Sequence, residues 1–264
     1  MDIFLNEKKI SVIKEITAKE LRDKFDSESD VIIVNGFQIE DKILQENDRV
    51  VLIKRGRKPT IDEFETLLTA RHTPKVHERL KKGTVAILGL GGLGSNIASS
   101  LARVGVGKLI LADFDVVEPS NLNRQNYFIN DIGKLKTSAT ADNIKMINPF
   151  VEIKIINDRI SKENMNLFSD ADIIVEAFDN PKCKAEISNY VLIHMKDKYL
   201  VASSGMAGYY DSNIIQTKKL RDKFYICGDF INEAKEGDGL MAPRVSICAN
   251  HMANKVIQIL VDGE

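Results

Sequence analysis

Thr84-Val85-Ala86-Ile87-Leu88-Gly89-Leu90-Gly91-Gly92-Leu93-Gly94 is the stretch on which the fold turns. Five residues of buried-strand type run directly into a G-x-G-x-x-G loop, and Leu93, Ile97, Leu101 and Val104 continue at helical spacing. Strand, glycine turn and helix thus follow in the order of a nucleotide-binding β-loop-α unit. Gly89, Gly91, Gly92 and Gly94 let the backbone turn sharply, approach a phosphate and press helix against strand. The helix start offers free N–H groups and the positive end of its dipole to the anion. A second strand, Lys108–Ala112, ends at Asp113, about twenty positions on, where such units hydrogen-bond a ribose hydroxyl. The structural alternative for Asp113 is a cap on the next turn.

Up to Asp113 a nicotinamide-dependent oxidoreductase fits as well as an ATP enzyme. Asp113-Phe114-Asp115, Ser120-Asn121-Leu122-Asn123-Arg124-Gln125 and Gly133-Lys134-Leu135-Lys136 favour the second. Hydride transfer has little use for cations and carboxylates gathered near phosphates. Attack on a nucleoside triphosphate needs cations against charge on the phosphoryl oxygens, and carboxylates to hold magnesium. Taken singly, Arg124 and Lys136 are also ordinary surface residue types. A further strand, Asp172–Ala177, leads to Phe178-Asp179-Asn180. Asp179 then lies where open parallel sheets bind ligands, and suits a metal ligand or the N-cap of a helix entered through Pro181. Tyr199–Ala202 runs into Ser203-Ser204-Gly205, small enough for close approach of a nucleotide or peptide tail.

The first sixty residues read as a separate module. Ile3-Phe4-Leu5 and Ile10-Ser11-Val12 flank a polar turn, Thr17–Glu20 has capping-box spacing, and Ala18, Leu21 and Phe25 mark a helix. Val31–Val34, closed by Asn35-Gly36, and Arg49–Ile53 complete a ββαββ order, the outline of a β-grasp unit. Lys54-Arg55-Gly56-Arg57-Lys58-Pro59 reads as a linker. Thr60–Glu63 and Pro74 then start a pair of short helices. The expected division is 1–56, 57–83 and 84–264.

In 264 residues, Lys+Arg 37 against Asp+Glu 38 gives a net charge of −1, so no overall basic excess recruits nucleic acid or a membrane surface. Apolar runs fall short of the ~18 residues a spanning helix needs, and the first residues lack a signal-peptide layout. Cys183, Cys227 and Cys248 form no C-x-x-C pair. A reduced, cytoplasmic protein is expected.

Gly89–Gly94, Ala112–Asp115, Ser120–Gln125, Lys136 and Phe178–Asn180 together resemble the core of the ubiquitin-activating-type adenylyltransferases, and within them the ThiF family, with MoeB a close relative. The likeness covers roughly 70–260 and implies an α/β, Rossmann-like adenylation domain with a mainly parallel sheet. It also implies a homodimer that uses MgATP to activate the terminal glycine of a ubiquitin-like sulfur carrier, ThiS, for thiazole synthesis. By that resemblance Asp113 holds the ribose. Asp115 belongs to the ATP site, and Asn121, Arg124, Gln125 and Lys136 hold the phosphates. Asp179 becomes the magnesium ligand. The amino-terminal module itself looks like ThiS, an α+β β-grasp, yet Arg55-Gly56-Arg57-Lys58 stands where a carrier has a free Gly-Gly end. It reads as a degenerate carrier and not a substrate.

Relatives with paired C-x-x-C motifs bind zinc; none occurs here, and no zinc is expected. An arginine that reaches a dimer partner's phosphates would be Arg71, with Arg79 the other candidate. Cys227 lies in Asp222–Gly239, a stretch too irregular for a core element, where some relatives capture the activated carrier; an inert thiol is the other reading. Cys183 sits between Lys182 and Lys184, and Cys248 on a buried helix over 245–260. Rival functions are adenylation of a molybdopterin-type carrier or a tRNA-attached carboxylate, an NAD-dependent oxidoreductase, and a scaffold with a vestigial site. Near-zero charge and the carrier-like module disfavour a nucleic-acid substrate.

Overall fold

The computed structural model describes residues 1–56 and 59–263; Arg57 and Lys58 of the expected linker lie outside the described residues. The chain divides into Met1–Glu78 and Arg79–Glu264.

In the first unit, β1 (Asp2–Leu5) and β2 (Lys8–Ser11) pair antiparallel. Asn6 and Glu7, both at positive φ, form the tight turn between them. Helix α1 (Ala18–Phe25) starts in the anticipated capping box of Thr17 and Glu20. β3 (Val31–Val34) does not end the pairing at Asn35-Gly36. That dipeptide, at φ 52° and 89°, closes a hairpin to β4 (Phe37–Ile39), a strand the sequence reading lacks. With β5 (Arg49–Ile53) the sheet order is β2-β1-β5-β3-β4. One face buries Ile3, Leu5, Ile32, Val34, Val50 and Leu52 with Leu21 of α1. The other buries Val31, Ile33 and Val51, with Leu67 of α2 (Ile61–His72) packed on them. Thr60 and Glu63 cap α2 reciprocally, as their spacing foretells. Helix α3 (Pro74–Lys82) carries the chain into the second unit.

There, β6 (Thr84–Leu88), α4 (Gly92–Arg103), β7 (Lys108–Ala112), α5 (Lys136–Ile147), β8 (Glu152–Ile156), β9 (Ile173–Glu176), α6 (Pro181–His194), β10 (Tyr199–Ser203), β11 (Gln216–Arg221), β12 (Phe224–Gly228) and α7 (Ala242–Asp262) follow in turn. The sheet order is β8-β7-β6-β9-β10-β12-β11. Every neighbouring pair is parallel except β11 with β12. Val85–Leu88, Leu109–Ala112 and Ile173–Val175 are buried throughout, which is why they read as unbroken apolar runs: parallel strands are covered on both faces. β11 forms an edge with exposed Lys218, Lys219 and Arg221, charges that discourage pairing with another chain.

The order reverses at β6, whose neighbours are β7 and β9; in open parallel sheets the ligand crevice lies at such a point, beyond the carboxyl ends of the strands. The segment around Cys227 departs from the sequence reading. Phe224–Gly228 is a strand inside the sheet, not an irregular stretch. Among the described residues no helix is long and apolar enough to cross a membrane.

Candidate functional site

At the end of β6, Gly89 takes φ +91°, and Gly91 is the N-cap of α4. A Cβ on Gly94 would fall inside the carbonyl oxygen of Gly89, so only glycine lets α4 press on the turn. A Cβ on Gly92 would come 2.9 Å from Val245 of α7 and 3.5 Å from the Arg124 stem. The free N–H groups of the α4 start therefore lie beside Arg124. The amide nitrogen of Gln125 faces Gly91 at 3.8 Å from that residue's would-be Cβ. Gln125 is buried, and its side-chain carbonyl oxygen has no hydrogen-bond partner among the described residues.

Asp113, 9% exposed, uses both carboxylate oxygens. Leu90 N–H donates to one at 2.7 Å and Asp115 N–H to the other at 2.8 Å. It clasps the glycine loop and caps its own turn. Each oxygen keeps a further lone pair. Lys136, at the start of α5 and 7% exposed, places Nζ 3.0 Å from Asp115 Oδ2. Its backbone N–H donates to Asp115 O at 2.9 Å. Arg124 donates to Ser120 O and, at 2.7 Å, to Asn123 Oδ1; among the described residues it makes no ion pair. Asn121 accepts Glu118 N–H and holds the start of this loop.

The motif loop is fixed by residues the sequence reading did not single out. Ser95 Oγ donates to Gly91 O at 2.7 Å and accepts Asn126 N–H at 2.9 Å. Asn96 Nδ2 donates to Gly92 O and to Arg124 O. Asn126 also reaches Ser99. Tyr127 OH donates to Leu90 O at 2.7 Å, and burial drives this phenol well above its usual range. The legible signal is the set of polar residues Ser95, Asn96 and Ser99 that directly follows the glycine motif on α4.

Asp179 follows β9 and is exposed, with no partner among the described residues. Its alternative as a cap fails, because Asn180 caps α6 by accepting from Lys182 and Cys183 N–H. A Cβ on Gly89 would touch Ala177 O at 2.9 Å, so the β9 turn abuts the glycine loop. Glu176 and Lys184 lie beneath it, 2.9 Å apart. Burial pushes the Glu176 carboxyl up, against the pull of Lys184.

Gly89, Gly91, Gly92, Gly94, Asp113, Asp115, Asn121, Arg124, Gln125 and Lys136 thus gather round the start of α4, next to the Asp179 turn. Cys227 does not join them as a reactive group. Its thiol is wholly buried on β12, beside Thr217 Oγ1 at 3.4 Å, and burial pushes it up to about 11. In the folded chain Cys227 should therefore resist iodoacetamide and react only on unfolding, read by mass spectrometry of the labelled protein; labelling of the native chain at the rate of an exposed, low-pKa thiol would reinstate the nucleophile. Cys248 is also buried, on α7, and pushed up to about 12. Arg71 is exposed on α2 of the first unit. Arg79 is engaged with Val261 O, near the amino end of the sheet and away from the crevice.

Residues 66–264 match the model of the ThiF family, and residues 1–56 that of ThiS-like ubiquitin. A tRNA threonylcarbamoyladenosine dehydratase of Haemophilus influenzae is 37% identical over 140 residues, 52% of this chain and 52% of that protein. A probable adenylyltransferase/sulfurtransferase MoeZ of Mycobacterium tuberculosis is 38% identical over 105 residues, 39% of this chain and 27% of that one. The chain thus spans about half the length of the first relative and about a quarter of the second. The fold is shared with the Escherichia coli tRNA N6-threonylcarbamoyladenosine dehydratase TcdA, solved in complex with ATP. The TM-score is 0.66 at 21% identity, over 74% of this chain and 93% of that one.

Proposed function

The chain belongs to the ThiF family, and from that premise we propose that it transfers AMP from ATP to the C-terminal glycine carboxylate of a ThiS-like sulfur carrier, for thiazole formation in thiamine biosynthesis. The observation that carries the reading is the pairing of Arg124, which no carboxylate neutralises among the described residues, with a glycine-lined helix start at the switch point of a mainly parallel sheet. The unpartnered oxygen of buried Gln125 adds a polar group that a ligand would satisfy.

In this account the carrier's carboxylate oxygen attacks the α-phosphorus, the bond to the bridging oxygen breaks, and its electron pair leaves with pyrophosphate. The nucleophile arrives already deprotonated, so the protein needs no base. Its work is to align two anions and offset their charge. Arg124 and the start of α4 face the phosphates. Lys136 moves part of its charge from Asp115 to them, Asn121 and Gln125 shape the cradle, and the spare lone pairs of Asp113 take the ribose. Arg71 of a second copy in a homodimer supplies the trans cation. Asp179 suits magnesium: an exposed carboxylate without a partner among the described residues, beside the proposed phosphate site, matches an ion held by one or two carboxylates plus substrate phosphates. When bound, that ion neutralises charge on the departing pyrophosphate. The ThiS-like unit, whose chain continues past Gly56, is not the substrate.

A second reading rests on the Haemophilus relative, whose name attaches it to a tRNA base, and gives adenylation of an RNA-borne carboxylate. Incubating the full chain with MgATP and purified carriers ending in Gly-Gly, then weighing them, decides. An adenylyl adduct on the ThiS-like carrier is expected. No adduct on any carrier, with pyrophosphate released only when threonylcarbamoyl-modified tRNA is added, would overturn the carrier reading.

A further inference from the structure

The turn Phe178–Asn180 is held from three sides while its central carboxylate, Asp179, is exposed and has no partner among the described residues. Glu176 Oε1 accepts Phe178 N–H at 2.8 Å, and Lys184 Nζ donates to Phe178 O at 3.1 Å. One acid and one base therefore grip both backbone polar groups of the residue just before Asp179. Lys184 Nζ also donates to Glu176 Oε1 at 3.0 Å and to Ser203 Oγ of β10 at 3.1 Å. An ammonium has three N–H donors, so none is left for a ligand. On the far side, Asn180 is fixed by capping α6.

The side chain of Glu176 is 1% exposed and that of Lys184 21%. Buried ion pairs are a weak source of stability, since well-packed apolar residues of similar volume often serve as well. Here the pair does something apolar residues cannot: it binds the backbone N–H and C=O of Phe178, just beyond the end of β9 and next to the glycine loop.

We propose that Lys184, through Glu176, Phe178 O and Ser203, is the positioning residue that sets where the Asp179 carboxylate meets the metal-bound phosphates. The inference rests on Asp179 as the magnesium ligand. Groups that orient a metal ligand typically contribute 10–100-fold to metal affinity.

Calorimetric titration of ATP into the full chain, with magnesium varied and again in chelator, tests it without any turnover. Lys184→Met should raise the magnesium concentration needed for half-maximal enhancement of ATP binding about tenfold, with metal-free ATP affinity within about twofold of the parent. Lys184→Arg, which keeps charge and donors, should restore the magnesium response to within about threefold. Lys184→Met that melts earlier yet keeps the parental magnesium response would reduce Lys184 to a structural role and overturn the proposal. Should Lys184→Met not fold, Ser203→Ala removes one acceptor and leaves the ion pair; a shift of about threefold supports the clamp, and none refutes it. Asp179→Asn separates the two levels. If it alone disturbs the magnesium response, the clamp falls and the ligand stands; if it leaves the response unchanged, the assignment of Asp179 falls first.

Discussion

Arg124→Ala is expected to lower carrier-dependent ATP–pyrophosphate exchange by about 10²–10³-fold, the usual loss when one preorganised charge-stabilising donor is removed. The guanidinium hydrogen-bonds Ser120 O and Asn123 Oδ1 and meets no carboxylate among the described residues, so its charge remains for an incoming anion. Asn96 holds the backbone of residue 124 through its carbonyl, independently of the side chain. The variant should therefore keep its thermal midpoint within a few degrees. Arg124→Lys should recover only part of the rate, because a point charge cannot reproduce the planar fork. Exchange by Arg124→Ala within about threefold of the parent would remove Arg124 from the chemistry.

Arg244→Ala is expected to cost about 3–5 kcal/mol of unfolding free energy, because it strands a buried carboxylate. Arg244 in the first turn of α7 pairs with Asp229 just beyond β12; the two side chains are 3% and 0% exposed. The same guanidinium donates to Tyr210 O at 2.8 Å and Asp211 O at 2.9 Å, tying the loop after β10 to α7. Burial alone would raise Asp229. Hydrogen bonds from Asn232 and the Ile231 N–H, with the Arg244 charge, hold it below the usual carboxylate range instead. A depressed carboxyl contributes stability above its unfolded value of about 4, and that contribution is lost as pH falls through the folded value. Urea unfolding at neutral pH should show the full loss in Arg244→Ala, and the gap to the parent should narrow in acid. A change below about 1 kcal/mol at neutral pH would mean the pair does not hold α7. Val245 packs toward Gly92, so slackening this helix start should also loosen the phosphate cradle.

The stretch Thr84–Gly94 foretold strand, turn and helix because its glycines are required by close backbone packing, which acts locally and leaves a mark in sequence. The capping boxes at Thr17 and Thr60 were legible for the same reason. β4 was missed because three residues, Phe37-Gln38-Ile39, of which the first two are exposed, carry too little pattern. β12 was missed because Phe224–Gly228 sits beside a lysine-rich edge strand without alternation, and its burial comes from β10 and α7, elements distant in sequence. The candidate residues themselves stood in five short motifs. What tethers them did not: Ser95, Asn96, Tyr127, Glu176 and Lys184 act through hydrogen bonds between segments whose adjacency only the sheet order creates. The role of Asp113 was legible only in part, since its clasp on Leu90 N–H joins β7 to the loop after β6.

The central claim is that this crevice binds a nucleoside triphosphate rather than a nicotinamide dinucleotide. Titrating the full chain with ATP plus magnesium, and separately with NAD, tests it most directly by calorimetry. The account predicts saturable micromolar binding of ATP that Arg124→Ala weakens, and no heat with NAD. Tight NAD binding with no response to ATP would contradict it.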